Sequence, residues 1–337
     1  MRRFQFSAAE AGEYVDESVP SVAPGHLLIR PLVVGICGTD VELFDGSMAY
    51  LRSGITSYPI QPGHEWIGEV MRMAEDVTEF EIGDRVVGEC SIGCGHCAVC
   101  DIGAYHRCPD RHETGIFGQP GALTEMLLFP ARSAFKIPLD VATEDGALVE
   151  PLAVAYRALT RLELSADSVV MVVGGGTIGA LAVMLLVGVF GLTPAVVDPN
   201  AHALSRALSY GAREPSEAEM YSRVLEVSGS SSGLTYAIAH AEAGARIVVA
   251  GLTPNATDPL PVNDIVLRDL DVVGSLGSPH VWPAVLEILS SSGIRPSRLI
   301  THRFPFDEIP QAMEVQQSHS PENGKLVIVA NSEGAGA

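Results

Sequence analysis

Residues 168–198 carry the pattern that decides the fold of one half of this chain: they read SVVMVVGGGTIGALAVMLLVGVFGLTPAVVD. An apolar run of strand length leads into a Gly-x-Gly-x-x-Gly turn, and an apolar segment of helix length follows. This turn, in its strand-to-helix context, predicts a Rossmann domain, a doubly wound parallel α/β sheet that holds a dinucleotide pyrophosphate at the helix N-terminus. The residues predicted to contact the cofactor here are Gly174, Gly176, Thr177, Ile178 and Gly179.

The carboxylate at the end of the next apolar run predicts which dinucleotide binds. Asp198 lies 22 residues after Gly176, a spacing at which a carboxylate accepts hydrogen bonds from the adenosine ribose. It would repel a 2′-phosphate, and the two residues after it are not arginines. These features favour NAD over NADP, although Arg206 is near enough in sequence to reach such a phosphate.

Composition and charge exclude several other classes of protein. The chain has 337 residues, 47% hydrophobic and 18% charged, and its 41 acidic and 21 basic side chains give a formal charge of −20. This length predicts two globular domains at about 150 residues each, and so acidic a surface disfavours nucleic acid as a partner. The apolar residues 178–190 are too few for a membrane span, and residues 1–6 are not followed by the apolar core of a signal peptide. We therefore expect a cytoplasmic protein with no membrane partner.

Five of the six cysteines fall within 19 residues. Four of them have the spacing Cys94-x2-Cys97-x2-Cys100-x7-Cys108. Thiolates on such glycine-containing turns can surround one Zn²⁺ at about 2.3 Å, and four protein ligands leave no position for a substrate, so this zinc is predicted to be structural. An iron–sulfur cluster is the alternative, but its ferredoxin spacing ends in x3 rather than x7. Cys90 lies outside the set and is predicted to be a small buried apolar residue.

A second set of metal-ligating side chains is spread along the chain. Cys37 stands on a glycine-flanked turn, and His64 and Glu65 follow another glycine. Glu150 stands in an apolar stretch, where an unpaired carboxylate is costly unless a cation neutralises it. A thiolate, an imidazole and a carboxylate with an open fourth position are what a catalytic zinc needs. Cys37, His64 and Glu150 are therefore the predicted ligands of a catalytic zinc.

These motifs resemble those of the zinc-dependent medium-chain alcohol and polyol dehydrogenases. Gly63-His64-Glu65-x2-Gly68-x5-Ala74-x2-Val77 resembles the family's zinc signature, Cys37-Gly-Thr39-Asp40 resembles its first-ligand turn, and the four-cysteine segment resembles its structural-zinc loop. The resemblance covers residues 24–329 and implies a GroES-like, mostly-β catalytic domain beside the Rossmann domain. It also implies an oxidoreductase that transfers a hydride between NAD(H) and a secondary alcohol or ketone, with two zinc ions per chain.

Different segments of the chain resemble different subfamilies. Glu150-Pro-Leu resembles the polyol, sugar and threonine dehydrogenase branch, whereas ethanol-type alcohol dehydrogenases have a cysteine at that ligand position. Cys37–Glu42 and Glu113–Ile116 are similar to glucose dehydrogenases, whereas residues 119–122 and 130–138 are similar to threonine 3-dehydrogenases. Glu113 and Gln61 are candidate contacts to further hydroxyl groups of the substrate. The sequence is compatible with four classes of substrate, namely polyols, sugars, cyclitols and hydroxy-amino acids. A catalytically silent dinucleotide-binding protein and a zinc-free reductase of the same fold are the more distant alternatives.

The resemblance further implies roles for side chains beside the catalytic zinc. Thr39 would take the proton of the substrate hydroxyl and pass it towards the cofactor ribose, with Glu42 at the position of the outer relay residue. Asp40 would orient His64 through a hydrogen bond. Glu65 would bind the zinc directly or through water, replace another ligand in exchange, or accept a hydrogen bond next to the zinc.

Chain order predicts how the two domains are assembled. Residues 1–152 and 291–337 are predicted to form the GroES-like domain, with the structural-zinc lobe at about 90–110, and residues 153–290 to form the Rossmann domain. Members of the family that the chain resembles have a longer strand and helix where this chain has only Arg213–Arg223, so one crossover of the sheet is expected to be shortened. The resemblance implies a homodimer or a homotetramer.

Overall fold

The computed structural model describes residues 1–253, 260–318 and 320–330, within which the chain forms 17 β-strands and 11 α-helices. The strands are β1 (Arg2–Ala8), β2 (Ala11–Asp16), β3 (His26–Ile36), β4 (Glu65–Met73), β5 (Arg85–Gly88), β6 (Ser91–Ile92), β7 (His112–Thr114), β8 (Gly118–Gln119), β9 (Leu127–Pro130), β10 (Ala134–Lys136), β11 (Val170–Val173), β12 (Ala195–Val197), β13 (Tyr221–Glu226), β14 (Ala241–Val249), β15 (Asp271–Gly274), β16 (Ile300–Pro305) and β17 (Lys325–Val329). The helices are α1 (Gly38–Asp45), α2 (Ala49–Arg52), α3 (Ala98–Asp101), α4 (Thr143–Ala147), α5 (Val149–Arg161), α6 (Thr177–Gly188), α7 (Ala201–Ser209), α8 (Ser231–His240), α9 (Val262–Leu267), α10 (Trp282–Ser291) and α11 (Ile309–Gln317).

The chain divides into two compact units. The first comprises Met1–Glu150, Ser278–Ser290 and the chain from Arg295 onward, and the second comprises Pro151–Gly277 and Ser291–Ile294. The first unit is therefore discontinuous in sequence. The domain borders at 152/153 and 290/291 stay a prediction, and the last seven residues of the predicted GroES-like domain, 331–337, lie outside the described residues.

A seven-stranded sheet forms the centre of the first unit. Its strand order is β10-β5-β4-β3-β17-β16, and β9 also pairs with β3. The long strand β3 reads HLLIRPLVVGI and is buried along most of its length, as a strand covered on both faces requires. Its proline lacks an N–H, and the register with β4 shifts between Pro31 and Val33, as a proline inside a sheet predicts. The predicted mostly-β GroES-like domain is confirmed.

Five parallel strands form the sheet of the second unit, in the order β12-β11-β13-β14-β15. All four residues of β11 are buried, and so are eight consecutive residues of α6, Gly179–Leu186. A strand and a helix without a polar face fit the interior of a doubly wound α/β sheet. The predicted Rossmann fold is confirmed.

The sheet has five strands and ends at β12 on one side. The short connection after α7 predicts that this edge lacks a further strand. Among the described residues, Arg213 forms only an isolated parallel bridge with Ala195 of β12. The next regular element is β13, and the connecting residues are held by an ion pair of Arg213 with Glu219, whose carboxylate also accepts the Tyr221 hydroxyl at 2.9 Å. One bridge therefore stands where a full strand would extend the sheet.

No helix within the described ranges is both long enough and apolar enough to span a bilayer. The apolar segment 178–190 lies mainly in α6, which has 12 residues. At a rise of about 1.5 Å per residue this helix covers roughly 18 Å, less than the hydrocarbon thickness of a bilayer.

Candidate active site

Cys37 lies at the junction between β3 and α1. Its backbone N–H donates to Asp40 Oδ2 at 2.8 Å, which closes the first turn of the helix with a carboxylate at the position where acidic groups are favoured. Asp40 is 0% exposed, so this hydrogen bond holds a buried carboxyl group next to the thiol, and burial raises the pKa of that carboxyl. Thr39 is half-buried in the same turn, and Glu42 lies one turn further along α1.

His64 and Glu65 lie at the start of β4, the strand that pairs with β3. Glu65 is opposite Gly35 in the ladder, and a Cβ on Gly35 would lie 2.2 Å from Glu65 Oε2, so glycine is needed to leave room for the carboxylate. One donor atom from each of Cys37, His64 and Glu65 lies within 4.8 Å of the other two. The pairing of β3 with β4 thus assembles three of the predicted metal ligands.

Asp40 and His64 form a buried polar pair next to this group. Asp40 Oδ1 lies 3.8 Å from His64 Nδ1, and neither atom has a hydrogen-bond partner within the part of the chain that the structure describes. Burial lowers the pKa of His64, but the charges of Asp40, Cys37 and Glu150 outweigh it and hold that pKa well above its ordinary value. Because Asp40 faces Nδ1, the other ring nitrogen, Nε2, is the one available to a metal ion.

Lys325 belongs to this site although sequence reasoning missed it. It begins β17, is 2% exposed, and its Nζ lies 2.6 Å from Glu65 Oε2 and donates to Ile36 O at 3.1 Å. Burial lowers the pKa of Lys325, but the charges of Glu65 and Cys37 outweigh it, so the pKa is raised. The signal in the sequence is a lysine directly before the apolar run Leu326–Val329, since a charge at the start of a buried strand needs a partner.

Glu150 lies near this group but outside it. It is on the first turn of α5 and 9% exposed, and it is not among the residues whose donor atoms all lie within 4.8 Å of one another. Burial, followed by the charges of Glu65 and Glu113, raises the pKa of Glu150 to about 7, against the opposing effects of His64 and Lys325. A carboxyl that is hard to ionise when no cation is present is a suitable ligand for a divalent cation, which would stabilise its charged form.

The four-cysteine segment is folded as a metal site. The Cys94 and Cys100 sulfurs are 3.9 Å apart, and the Cys97 and Cys108 sulfurs are 3.7 Å apart. Four sulfurs at about 2.3 Å from one zinc ion in a tetrahedron would be about 3.8 Å apart, so the observed spacing fits that ion. A backbone N–H of Cys100 lowers the pKa of the Cys97 thiol to about 7, and Cys90 remains outside this group.

The glycine-rich turn lies between β11 and α6. A Cβ on Gly179 would be 1.8 Å from Gly174 O, so the third glycine allows the turn and the helix to pack closely. Gly176 is the N-cap of α6 and contributes no side chain to the first turn, which leaves the N–H groups of that turn for an anion. Asp198 accepts from the backbone N–H of Gly175 at 2.6 Å and of Asn200 at 2.7 Å, so the predicted ribose ligand lies against the turn.

A GroES-like β domain with two possible metal centres, joined to a Rossmann domain, defines the class of two-domain nicotinamide-dependent dehydrogenases. Comparison with known proteins agrees with this class. Residues 23–139 match the alcohol dehydrogenase GroES-like domain, and residues 177–291 match the zinc-binding dehydrogenase domain. The chain belongs to the zinc-dependent medium-chain dehydrogenase family, and the predicted zinc-dependent alcohol or polyol dehydrogenase class is confirmed.

Individual relatives cover nearly the whole chain. A sorbitol dehydrogenase of Arabidopsis thaliana is 32% identical over 326 residues, 88% of this chain and 86% of the relative. An L-threonine 3-dehydrogenase of Yersinia pestis is 30% identical over 339 residues, 95% of this chain and 97% of the relative. A zinc-binding dehydrogenase of Sinorhizobium meliloti, whose structure contains NADP, is 26% identical with a TM-score of 0.87, covering 97% of this chain and 98% of that one.

Proposed function

We propose that this protein is an NAD-dependent dehydrogenase that oxidises a secondary alcohol of a polyol-type substrate at a zinc ion in the first unit. The observation that carries the proposal is the convergence of Cys37, His64 and Glu65, whose donor atoms lie within 4.8 Å of one another. Around them, the buried carboxyl groups outnumber the buried Lys325, and this excess of potential negative charge fits a divalent cation. When bound, zinc supplies a Lewis acid for the alcohol and the nicotinamide supplies the hydride acceptor.

The charges favour Glu150 over Glu65 as the third protein ligand. Lys325 already neutralises Glu65 at 2.6 Å, whereas burial holds the pKa of Glu150 at about 7. We therefore assign Cys37, His64 and Glu150 to the zinc, with Glu65 held beside it by Lys325. The zinc content of Glu150→Gln and Glu65→Gln tests the assignment: the first should lose about one zinc per chain and the second should keep both. The opposite pattern would make Glu65 the ligand.

Two side chains of α1 are suited to carry the hydroxyl proton away from the substrate. Thr39 lies two residues after Cys37, and Glu42 lies three residues further, on the same helical face. Burial and the charge of Asp45 raise the pKa of Glu42 above its ordinary value, which makes its carboxylate a better proton acceptor. We assign the first proton transfer to the Thr39 hydroxyl and the outer step to Glu42.

The second unit would hold the cofactor. We assign the pyrophosphate to the N–H groups of the turn that contains Gly174, Gly176 and Gly179, and the adenosine ribose to Asp198, which would repel the 2′-phosphate of NADP. Removing this repulsion in Asp198→Ser should raise the preference for NADP, measured as the ratio of kcat/KM for the two cofactors, by about tenfold, or about 1.4 kcal/mol. Equal use of both cofactors by the unmodified enzyme would overturn the assignment.

A substrate panel tests the proposed reaction. The zinc-loaded protein should reduce NAD with at least one of sorbitol, xylitol, 2,3-butanediol, glucose, myo-inositol or threonine, and chelation of the zinc should abolish the rate. Cys37→Ser should be inactive and still bind NADH, measured by fluorescence, because the cofactor contacts lie in the second unit. NADH binding without turnover across the panel would instead support a catalytically silent dinucleotide-binding protein.

We further propose that the enzyme is a homo-oligomer in the cytoplasm. Among the described residues, the edge strand β15 has a hydrogen-bonded neighbour on one side only. Exposed apolar side chains are concentrated in and near it, with Val266 71%, Leu267 82% and Val272 36% exposed, and a second copy of the same edge could cover them. A site of four zinc-binding thiols needs a reducing compartment, which supports the cytoplasm.

A further inference from the structure

A cavity of about 400 Å³ lies next to the four-cysteine segment of the first unit, and the proposed reaction gives it no role. Small-molecule sites have volumes of about 300–1,000 Å³, so this cavity can hold a compact ligand. Its walls are formed by the residue after β5, the chain around the start of β10, the turn that contains Tyr105 and the start of α10. The side chains that shape it are Glu89, Tyr105, Arg132, Phe135, His280 and Trp282.

Glu89 supplies a buried carboxyl group to this cavity and is 7% exposed. Its backbone is fixed on both sides, because its N–H donates to Ser133 O at 3.0 Å and its carbonyl accepts from the Thr114 hydroxyl at 3.0 Å. The side chain accepts a hydrogen bond from the Tyr105 hydroxyl, and among the described residues no basic group forms an ion pair with it. A buried carboxylate without a cation is costly, and burial raises the pKa of Glu89 to about 7.

Tyr105 and His280 hold this carboxyl group in place. The Tyr105 hydroxyl accepts from the His280 backbone N–H at 3.1 Å, and the two rings meet edge to face with centroids 5.2 Å apart. The His280 ring in turn donates through Nε2 to Gly103 O. The orientation of the Glu89 carboxyl group is therefore set before a ligand enters, and such preorganisation lowers the entropic cost of binding.

The positive charge of Arg132 is directed at the four-cysteine segment. Arg132 Nη2 donates to Gly93 O at 2.9 Å, and a Cβ on Gly95 would lie 3.9 Å from Arg132 Nε. When zinc is bound, the charge of four thiolates exceeds that of the ion by two, and this guanidinium offsets part of the excess. Glu89 is then left without a compensating cation, so a ligand that completes the charge balance of the cavity is positively charged.

One wall of the cavity is apolar. The Phe135 and Trp282 rings stack with centroids 5.5 Å apart and an angle of 12° between their planes, and Pro283 lies beside them. The Trp282 indole N–H already donates to Ser278 Oγ at 3.1 Å, so this wall favours a hydrocarbon or aromatic group. A divalent metal ion needs six or more oxygen ligands, whereas Glu89 is the one carboxylate among the described residues that line the cavity.

We propose that this cavity binds a small organic ammonium ion, whose N–H groups donate to Glu89 and whose apolar part packs against Phe135 and Trp282. The carboxylate and the ammonium group neutralise each other inside the cavity, where an ion pair is screened little by water. The site needs neither NAD nor an alcohol, so it is independent of the proposed function. Its ligand contacts both the four-cysteine segment and the start of α10, and should raise the Tm of the protein.

Calorimetric titration of the zinc-loaded protein with 2-phenylethylammonium tests the site. The unmodified protein should bind this ion at millimolar or lower concentration. It should bind 3-phenylpropionate, which has a similar apolar body and the opposite charge, at least tenfold more weakly. Absence of binding of the ammonium ion at millimolar concentration, or tighter binding of the carboxylate, would overturn the proposal.

Glu89→Gln keeps the size of the side chain and an acceptor for Tyr105 but removes the charge, so it should weaken the binding of 2-phenylethylammonium at least tenfold. The matched control Glu75→Gln, at an exposed position, should stay within twofold of the unmodified protein. An amine can also coordinate a zinc ion, and Cys37→Ser distinguishes this cavity from the catalytic centre. Binding that is retained in Cys37→Ser and lost in Glu89→Gln supports the proposal, whereas the opposite result would place the amine at the catalytic zinc and overturn it.

Phe135→Leu gives a second test that leaves Glu89 in place. It removes one ring of the apolar wall and should weaken the binding of 2-phenylethylammonium at least threefold. Phe190→Leu is its matched control, because it removes a ring that is stacked on Tyr156 elsewhere in the chain, and it should leave the affinity within twofold. Saturating 2-phenylethylammonium should also raise the Tm of the unmodified protein more than that of Glu89→Gln. Equal affinities of the two phenylalanine variants, or equal shifts in Tm, would contradict a ligand in this cavity.

Discussion

Lys136 and Lys325 are the two lysines of this chain, and they occupy opposite environments. The Lys136 side chain is 46% exposed and forms a surface ion pair with Asp84, whereas the Lys325 side chain is 2% exposed and faces Glu65, itself 1% exposed. Surface ion pairs contribute little to stability because water screens them. A buried pair differs, because removing one partner leaves the other charge buried and uncompensated.

Lys325→Met should therefore destabilise the protein strongly. The expected loss in the free energy of unfolding is about 3–5 kcal/mol, the usual cost of breaking a buried ion pair. Chemical denaturation measures it, and Lys136→Met is the matched control, with an expected loss below about 1 kcal/mol. Adding Glu65→Gln to Lys325→Met should recover part of the loss. Similar losses for the two lysine variants would contradict the buried-pair interpretation.

Glu89 predicts a pH dependence of stability. It is 7% exposed, accepts a hydrogen bond from the Tyr105 hydroxyl, and burial raises its pKa from 4.5 to about 7. Because the folded state holds this proton more tightly than the unfolded state, its contribution to stability is full below pH 4.5 and is lost as the pH rises to about 7.

Glu89→Gln removes this titration and keeps an acceptor for Tyr105. Between pH 5 and pH 8 the unfolding free energy of the unmodified protein should fall by roughly 2–3 kcal/mol more than that of Glu89→Gln. Glu75→Gln, at an exposed position, should keep the unmodified slope. Parallel curves for the Glu89 variant and the unmodified protein would show that this carboxyl is not the cause.

At the scale of elements, the two zinc centres should respond differently to loss of a ligand. The regular structure around the four cysteines consists of the short helix α3, one turn of 3-10 helix at Tyr105–Arg107 and small strands, so the fold of this segment should depend on the metal. Cys97→Ser should lose one zinc per chain and about 3 kcal/mol of stability, a fall in Tm of roughly 6–12 °C. Cys37→Ser should also lose one zinc but show a much smaller fall in Tm, because β3 and β4 are held by the large sheet. Elemental analysis and calorimetry measure both, and equal falls in Tm would contradict this distinction.

The distance in sequence between interacting residues decides what could be predicted at this scale. The glycine turn before α6 and the four cysteines are contained in short segments, so their spacing alone indicates their geometry. The shortened crossover was predictable for the same reason, because too few residues separate α7 from β13. The Glu65–Lys325 pair joins residues 260 positions apart, and no local pattern shows which charge will meet which. The pairing of Arg111 with Tyr50, 61 positions apart, was invisible for the same reason, although Glu113 itself was identified.

For the whole molecule, the open edge at β15 predicts self-association. Leu267→Glu places a charge among the exposed apolar residues near this edge and should shift the oligomer towards the monomer, measured by light scattering. Leu139→Glu is the matched control, because Leu139 is 92% exposed and belongs to the first unit. It should leave the assembly intact. A monomeric unmodified protein, or equal effects of both variants, would exclude this edge as the interface.

The scarcity of lysine also governs how the protein can be labelled. Of the two lysine side chains, an amine-reactive ester can reach Lys136, whereas Lys325 is closed to it while the protein stays folded because that side chain is 2% exposed. A dye or a solid support coupled through lysine would therefore attach at one known position on the first unit. Molecules immobilised through Lys136 would share one point of attachment, and the lysine next to Glu65 would remain unmodified.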